Sequence, residues 1–268
     1  MFKNLWCIVL LGLLPAFVYA GAFDFIRYEG FLSKFFTGKL LECKFSDFFC
    51  AFSVINVSQW YFAILSVIGF FVSCLFMAVM IALIEKHMRI GKRTLNGIFS
   101  KLNDNIVATV VVAFFSGIVY FVWIFAVSLA GVGCVAIFQN SAVAAYIFFV
   151  LLLILFTYLM LYTISRILLW LPCQLITGFR MFESLTYAAH LVETKKNPML
   201  LALVLPYVIG NVVLGVCALG GTITLAPVVF FIYLFFFLYL GVLMEVAYFE
   251  EAQMEREDLK PAYKRRRV

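Results

Sequence analysis

Apolar and charged positions segregate into blocks far longer than a soluble helix or strand would need. No Asp, Glu, Lys or Arg occurs in the 37 residues between Asp47 and Glu85, the 61 between Asp104 and Arg166, or the 48 between Lys196 and Glu245. A helix crossing a hydrocarbon core of ~30 Å needs about 20 apolar residues. The first block therefore predicts one span and the other two predict two each. The breaks fall at the polar Gln139-Asn140-Ser141 and at Gly220-Gly221-Thr222. With the apolar N-terminal run, six helices are expected, at about 4–23, 59–84, 105–137, 143–170, 198–219 and 223–249. Runs this long favour helices, because the strands of a membrane barrel alternate over only ~10 residues. The expected fold is all-α, a polytopic transmembrane bundle occupying residues 1–250, with an outer loop at 24–58 and a charged tail at 251–268.

Composition agrees and removes the soluble alternatives. Of 268 residues, 66% are hydrophobic and 13% charged, and the mean hydropathy is +1.09. A soluble domain is roughly 45–50% apolar and about 25% charged, so this chain lacks the polar surface to cover itself in water.

The charges that remain orient the bundle. Lys and Arg gather in cytoplasmic loops. If six spans alternate, Lys3, the loop after the second span (Lys86, Arg89, Lys92, Arg93, Lys101), the connection between the fourth and fifth (Arg166, Arg180, Lys195, Lys196) and the tail share one side, with 16 of the 20 basic residues. Arg27, Lys34, Lys39 and Lys44 face Asp24, Glu29, Glu42 and Asp47 on the other side. Both termini are thus expected in the cytoplasm. In the tail, Lys264, Arg265, Arg266 and Arg267 lie where anionic lipid would attract them. Four basic residues after a span serve as a topology anchor, so no nucleic-acid partner is expected.

The first segment supports two readings. Lys3, the apolar run Leu5–Val18 and Val18-Tyr19-Ala20 before Gly21 fit a secretory signal, and the same residues fit an uncleaved first span. The outer loop is too short for a core of its own. Its aromatic residues, among them Phe31, Phe35, Phe45, Phe48 and Phe49, suggest a segment lying on the membrane surface. Cys43 and Cys50 are candidates for a disulfide there if that side is oxidising. The other five cysteines fall in or at the ends of spans, where thiols act as small apolar packing groups.

Two basic connections carry helical periodicity. Leu95, Ile98, Phe99 and Leu102 share one face in the first, and Phe182, Leu185, Ala189 and Val192 in the second, opposite Glu183, Thr186, His190 and Glu193. Spacings of 3, 4 and 7 mark amphipathic helices, so two interfacial elbow helices are expected on the cytoplasmic side.

Phe182-Glu183-Ser184-Leu185, then Leu191-Val192-Glu193-Thr194-Lys195-Lys196-Asn197, an apolar span, a Gly-rich turn and a closing Tyr248-Phe249-Glu250-Glu251 resemble a group of bacterial six-span families. They include uncharacterised integral membrane proteins and the membrane domain of some glycerophosphodiester phosphodiesterases. The resemblance covers roughly residues 60–251 and implies a helix bundle without an established chemistry. A proline–glycine turn common in those families before the second elbow is replaced here by Leu171-Pro172-Cys173.

Charged groups at membrane depth are the default functional candidates. Arg166 and Glu245 qualify, both near the cytoplasmic ends of their spans; they are candidates for an intramembrane ion pair, the alternative being that each snorkels to the interface. Asn211, beside Gly210 and one turn after Pro206, is the candidate for lining a path through a kinked helix. No Gly-x-Ser-x-Gly, His-Glu-x-x-His or phosphate-loop pattern occurs, and neither His87 nor His190 stands at a metal-ligand spacing. No catalytic residue, metal or cofactor is therefore expected. The expected function is that of a non-catalytic subunit or organiser of a membrane assembly, with a protein partner or a second copy. A small transporter or permease-like protein with its path around spans 4–6 is the alternative.

Overall fold

A computed structural model describes residues 5–53, 55–57, 59–90, 100, 103, 106–194, 196–218 and 220–254. Among these residues there is no strand. The elements described in full are α1 (Leu5–Ala22), α2 (Phe25–Phe36), α3 (Phe45–Phe52), α4 (Trp60–Ile90), α5 (Ile106–Ile137), α6 (Ala142–Ile167), α7 (Trp170–Thr177), α8 (Met181–Thr194), α9 (Lys196–Ala218) and α10 (Thr222–Glu251), with a 3-10 turn at Leu40–Glu42. Five helices are long and apolar enough to cross a membrane. The count becomes six if Ile8–Ala22 and Phe25–Phe36, which meet at 64°, form one bent span. These are the helices of an integral membrane protein. Both expected breaks fall in place, since α5 gives way to α6 after Ile137 and α9 to α10 after Ala218.

Burial sorts the helices into a centre and a rim. In α4, 56% of the membrane-length window is buried, against 17–33% in the other four spans. Nine consecutive residues, Met77 to Glu85, are buried. Nine residues make two and a half turns, so this half of α4 is enclosed on every side, the condition for a helix that is apolar all round. The rim helices turn large apolar side chains outward, such as Val122 and Leu129 on α5, Leu151 and Ile154 on α6, and Leu201 and Val208 on α9. That belt is the surface a bilayer would cover.

α1 belongs to the core, packed against both α4 and α10. Tyr19 stacks on Tyr233 at 5.4 Å, and Ala16 and Ala22 are buried. A side-chain carbon at Gly12 would meet Leu234 and Leu238, and one at Gly69 would collide with Val18. Small residues thus let these helices approach closely, the usual packing device where lipid supplies no hydrophobic drive.

The outer segment departs from the surface-lying arrangement expected for it. α2, the 3-10 turn and α3 fold down onto the bundle. Leu40 and Phe48 are fully buried and Phe31 and Phe49 nearly so, all within the main core, and Cys50 is buried as well. Phe48 is the wedge. Its ring lies against Gly131 of α5, beside Phe31 (5.5 Å) and Phe149 (5.0 Å). Thirty residues cannot make an independent core, and this segment borrows the bundle's instead.

The second connection also differs from a simple interfacial elbow. Proline has no N–H and its ring clashes with the carbonyl four residues back. Pro172 therefore ends α6 near Leu168, and it is tolerated in the first turn of α7. Trp170 to Leu175 are buried, so α7 plugs the end of the bundle. Gly178, at φ +66°, turns the chain into α8 through the left-handed region that suits glycine. α8 is amphipathic, but its buried stripe is Ser184, Ala188 and Val192, and Phe182 is 66% exposed. The first expected elbow, around 93–102, lies almost wholly outside the described residues.

Candidate functional site

Two buried carboxylates lie at the end of the bundle where α4 and α10 finish and α7 is inserted. Glu245 on α10 is completely buried, and Glu85 on α4 is 5% exposed. Arg89, one turn after Glu85, places Nη1 3.4 Å from its Oε1. Both carboxylates lie close enough to the Tyr248 hydroxyl to act on it electrostatically, as do Cys173 and Tyr187. Burying a carboxylate is among the costliest things a fold can do, so two in one region mark it as the candidate site.

Its floor is a closed hydrogen-bond network. Ser184 donates from Oγ to Gln174 Oε1 (2.5 Å). Trp170 Nε1 donates to Ser184 Oγ and to the Met181 carbonyl (3.1 Å each). Gln174 Nε2 donates to the Phe179 carbonyl (2.8 Å), and Thr177 Oγ1 to that of Cys173 (2.7 Å). Buried polar groups are tolerated when each is satisfied. This network fastens α7 to α8 and holds both beneath Glu245 and Tyr248.

The candidate pair of Arg166 and Glu245 is not brought together. Arg166 is exposed at the end of α6, its guanidinium 4.9 Å over the ring of Tyr162, whereas Glu245 faces the core. α9 packs against both α6 and α10, which are not face to face. Both lie near the ends of their helices, but Arg166 turns outward and Glu245 inward. Asn211 is likewise exposed on the rim, its Nδ2 donating to the Tyr207 carbonyl one turn back (2.8 Å), so it lines no interior path. α9 runs unbroken through Pro206 and Gly210. Gly210 instead admits Phe236, 3.1 Å from the place a side-chain carbon would take. Pro206 deprives the Ala202 carbonyl of its helical N–H partner, and the Tyr239 hydroxyl on α10 supplies a replacement at 2.8 Å. In a bilayer such freed carbonyls need a partner from a neighbouring helix.

Cys43 and Cys50 are separate free thiols. Helix α3 carries Cys50 about 9 Å along its axis from Lys44 at the usual 1.5 Å per residue, and a disulfide needs α-carbons within about 7 Å. Cys50 instead accepts a hydrogen bond from Arg27 Nη1 (3.2 Å). Burial pushes both thiols above their ordinary range, and the nearby Arg27 and Lys34 only partly oppose that. Lys34 Nζ bridges α2 to α3 through Asp47 Oδ2 (3.0 Å), which also accepts the Lys44 backbone N–H (3.0 Å). Partial burial raises the Asp47 carboxyl, but these two donors outweigh it and hold it below the usual carboxylate value. The basic residues Lys264, Arg265, Arg266 and Arg267 lie outside the described residues.

Sequence reasoning missed Glu85, Gln174 and Ser184. Glu85 follows directly on the charge-free block and reads as its boundary. One signal was present, since Met77, Ile81, Glu85 and Met88 share an i, i+4, i+8, i+11 stripe. No group of three or more metal-ligating side chains occurs among the described residues. No family model, no curated protein and no solved structure matches this chain.

Proposed function

We propose that the protein is a non-catalytic integral membrane subunit or organiser, acting with a protein partner or a second copy of itself. The supporting observation is the filling of its interior. The enclosed half of α4, the aromatic wedge at Phe48 and the inserted α7 occupy both ends of the bundle with apolar side chains. The nearby polar groups Trp170, Gln174 and Ser184 bond one another, which suits a rigid platform. The charge asymmetry supports a cytoplasmic side for both termini and for the carboxylate end, and the resemblance over roughly residues 60–251 supports a bacterial inner membrane as the location. Solubilisation in mild detergent followed by intact-complex mass spectrometry tests it. A stoichiometric partner or dimer is the expected result, and a monodisperse monomer at cellular concentration refutes it. Reporter fusions after Glu251 and within 37–44 test the topology.

Glu85 and Glu245 favour a second reading, a small transporter with its coupling site at these carboxylates. In reconstituted vesicles it requires a pH-gradient-driven flux that Glu245→Gln removes.

A further inference from the structure

We infer that the groove between α6 and α9 holds the headgroup of an anionic glycerophospholipid. The groove has a volume of about 390 Å³ and is lined by Tyr158, Leu159, Tyr162, Asn197 and Leu200. Arg166, one turn after Tyr162, places its guanidinium 4.9 Å over that lining ring, and Tyr158 stacks against Tyr162 with ring centroids 6.3 Å apart.

Three observations choose the occupant. First, the polar groups here are donors without an acceptor. Arg166 makes no ion pair with any described residue, and the Tyr158 and Tyr162 hydroxyls and the Asn197 amide make no hydrogen bond to one. A phosphodiester oxygen satisfies such a set, and a guanidinium binds it in two-pronged fashion. Second, the groove opens sideways onto apolar helix faces. Leu151, Ile154, Leu155 and Leu159 on α6, with Leu201 and Leu205 on α9, are all largely exposed. Leu151 to Leu159 spans about 12 Å at the helical rise, a track for the first carbons of an acyl chain. A free phosphate would leave that track unused. Third, tyrosines and an arginine at the end of a span sit at headgroup depth in a bilayer, and Lys195 and Lys196 precede Asn197 in the chain. The site thus selects for negative charge, which separates it from the ordinary lipid contact of the other helix faces.

The test is native mass spectrometry of the full chain in mild detergent, titrated with phosphatidylglycerol or phosphatidylcholine of identical chains. The wild type should retain one phosphatidylglycerol in preference to phosphatidylcholine. Arg166→Ala should weaken that preference about fivefold, the effect of one cation near an anionic headgroup. Arg166→Lys should retain part of it. Tyr162→Leu, which removes the platform under the guanidinium, should weaken it as well. Replacing Lys264, Arg265, Arg266 and Arg267 together by Ala should leave it intact. Equal retention of the two lipids by the wild type overturns the inference. So does an undiminished preference in Arg166→Ala, or a preference lost with the tail residues and kept in Arg166→Ala.

Discussion

Gly131→Ala is the sharpest perturbation of the outer cap. A methyl carbon at Gly131 would lie 2.7 Å from Cδ1 and Cε1 of Phe48 and 2.8 Å from Cγ. Carbon–carbon contacts are most favourable near 3.5–4.0 Å, so the ring must retreat by roughly 1 Å. It has nowhere to go. Phe48 is fully buried, with Phe149 and Phe31 against it. A ring also cannot fold away as a methionine tip can. Overpacking of this kind costs about 1–3 kcal/mol, and removing the wedge by Phe48→Ala costs about 3–5 kcal/mol. The two effects should not add. In the Phe48→Ala background the new methyl enters vacated space, and Ala outperforms Gly in a helix interior by roughly 0.5–1 kcal/mol. Gly133→Ala, two residues along α5 with nothing within 4 Å, is the control and should be neutral or stabilising. Thermal unfolding in detergent, followed with a thiol-reactive fluorophore, measures all four variants. Labelling of Cys50, 4% exposed on α3, reports at low temperature whether α3 has lifted. If Gly131→Ala melts with the wild type and leaves Cys50 protected, or if its cost adds fully to that of Phe48→Ala, the wedge is refuted.

Tyr239→Phe should lower stability by about 0.5–2 kcal/mol, because the Ala202 carbonyl loses the hydroxyl that stands in for the N–H that Pro206 lacks. The same substitution should cost much less in a Pro206→Ala background, and equal costs in thermal melts of the two backgrounds would exclude this account. Ser184→Ala removes the hydroxyl that joins Trp170 to Gln174 and should cost about 1–3 kcal/mol, with Thr186→Ala on the exposed face of α8 unchanged. The bridge from Lys34 to Asp47 should show a definite pH dependence. Since the folded carboxyl titrates below its usual value, the contribution is complete above about pH 4 and is lost as pH falls through the lower folded value. The melting difference between wild type and Asp47→Asn should accordingly be flat from pH 7 to 5 and vanish in stronger acid.

Legibility followed the kind of information each element needed. The spans were readable because hydrocarbon thickness translates directly into the length of a charge-free run, and the breaks at 138–141 and 219–221 appeared where polar and glycine residues interrupt it. The fourth span, expected to reach about 170, ends at Ile167 instead, because Pro172 denies the Leu168 carbonyl its helical partner. The site was less readable. Arg166 and Glu245 were found as deep charges, but a matching depth leaves rotation about the helix axis undetermined, and one side chain points outward while the other points inward.

The sequence by itself determined that the chain is built of long apolar membrane helices, and roughly where five of them begin and end, because solvation acts on each segment independently of its neighbours. Tertiary structure alone decided that α4 is the central post, that the 24–58 segment is wedged into the bundle by Phe48, and that Glu85 is buried. Each of these depends on which apolar face meets which partner. In an apolar chain almost every face is a candidate, and only the fit of particular shapes, such as Phe48 against Gly131 or Phe236 against Gly210, selects among them.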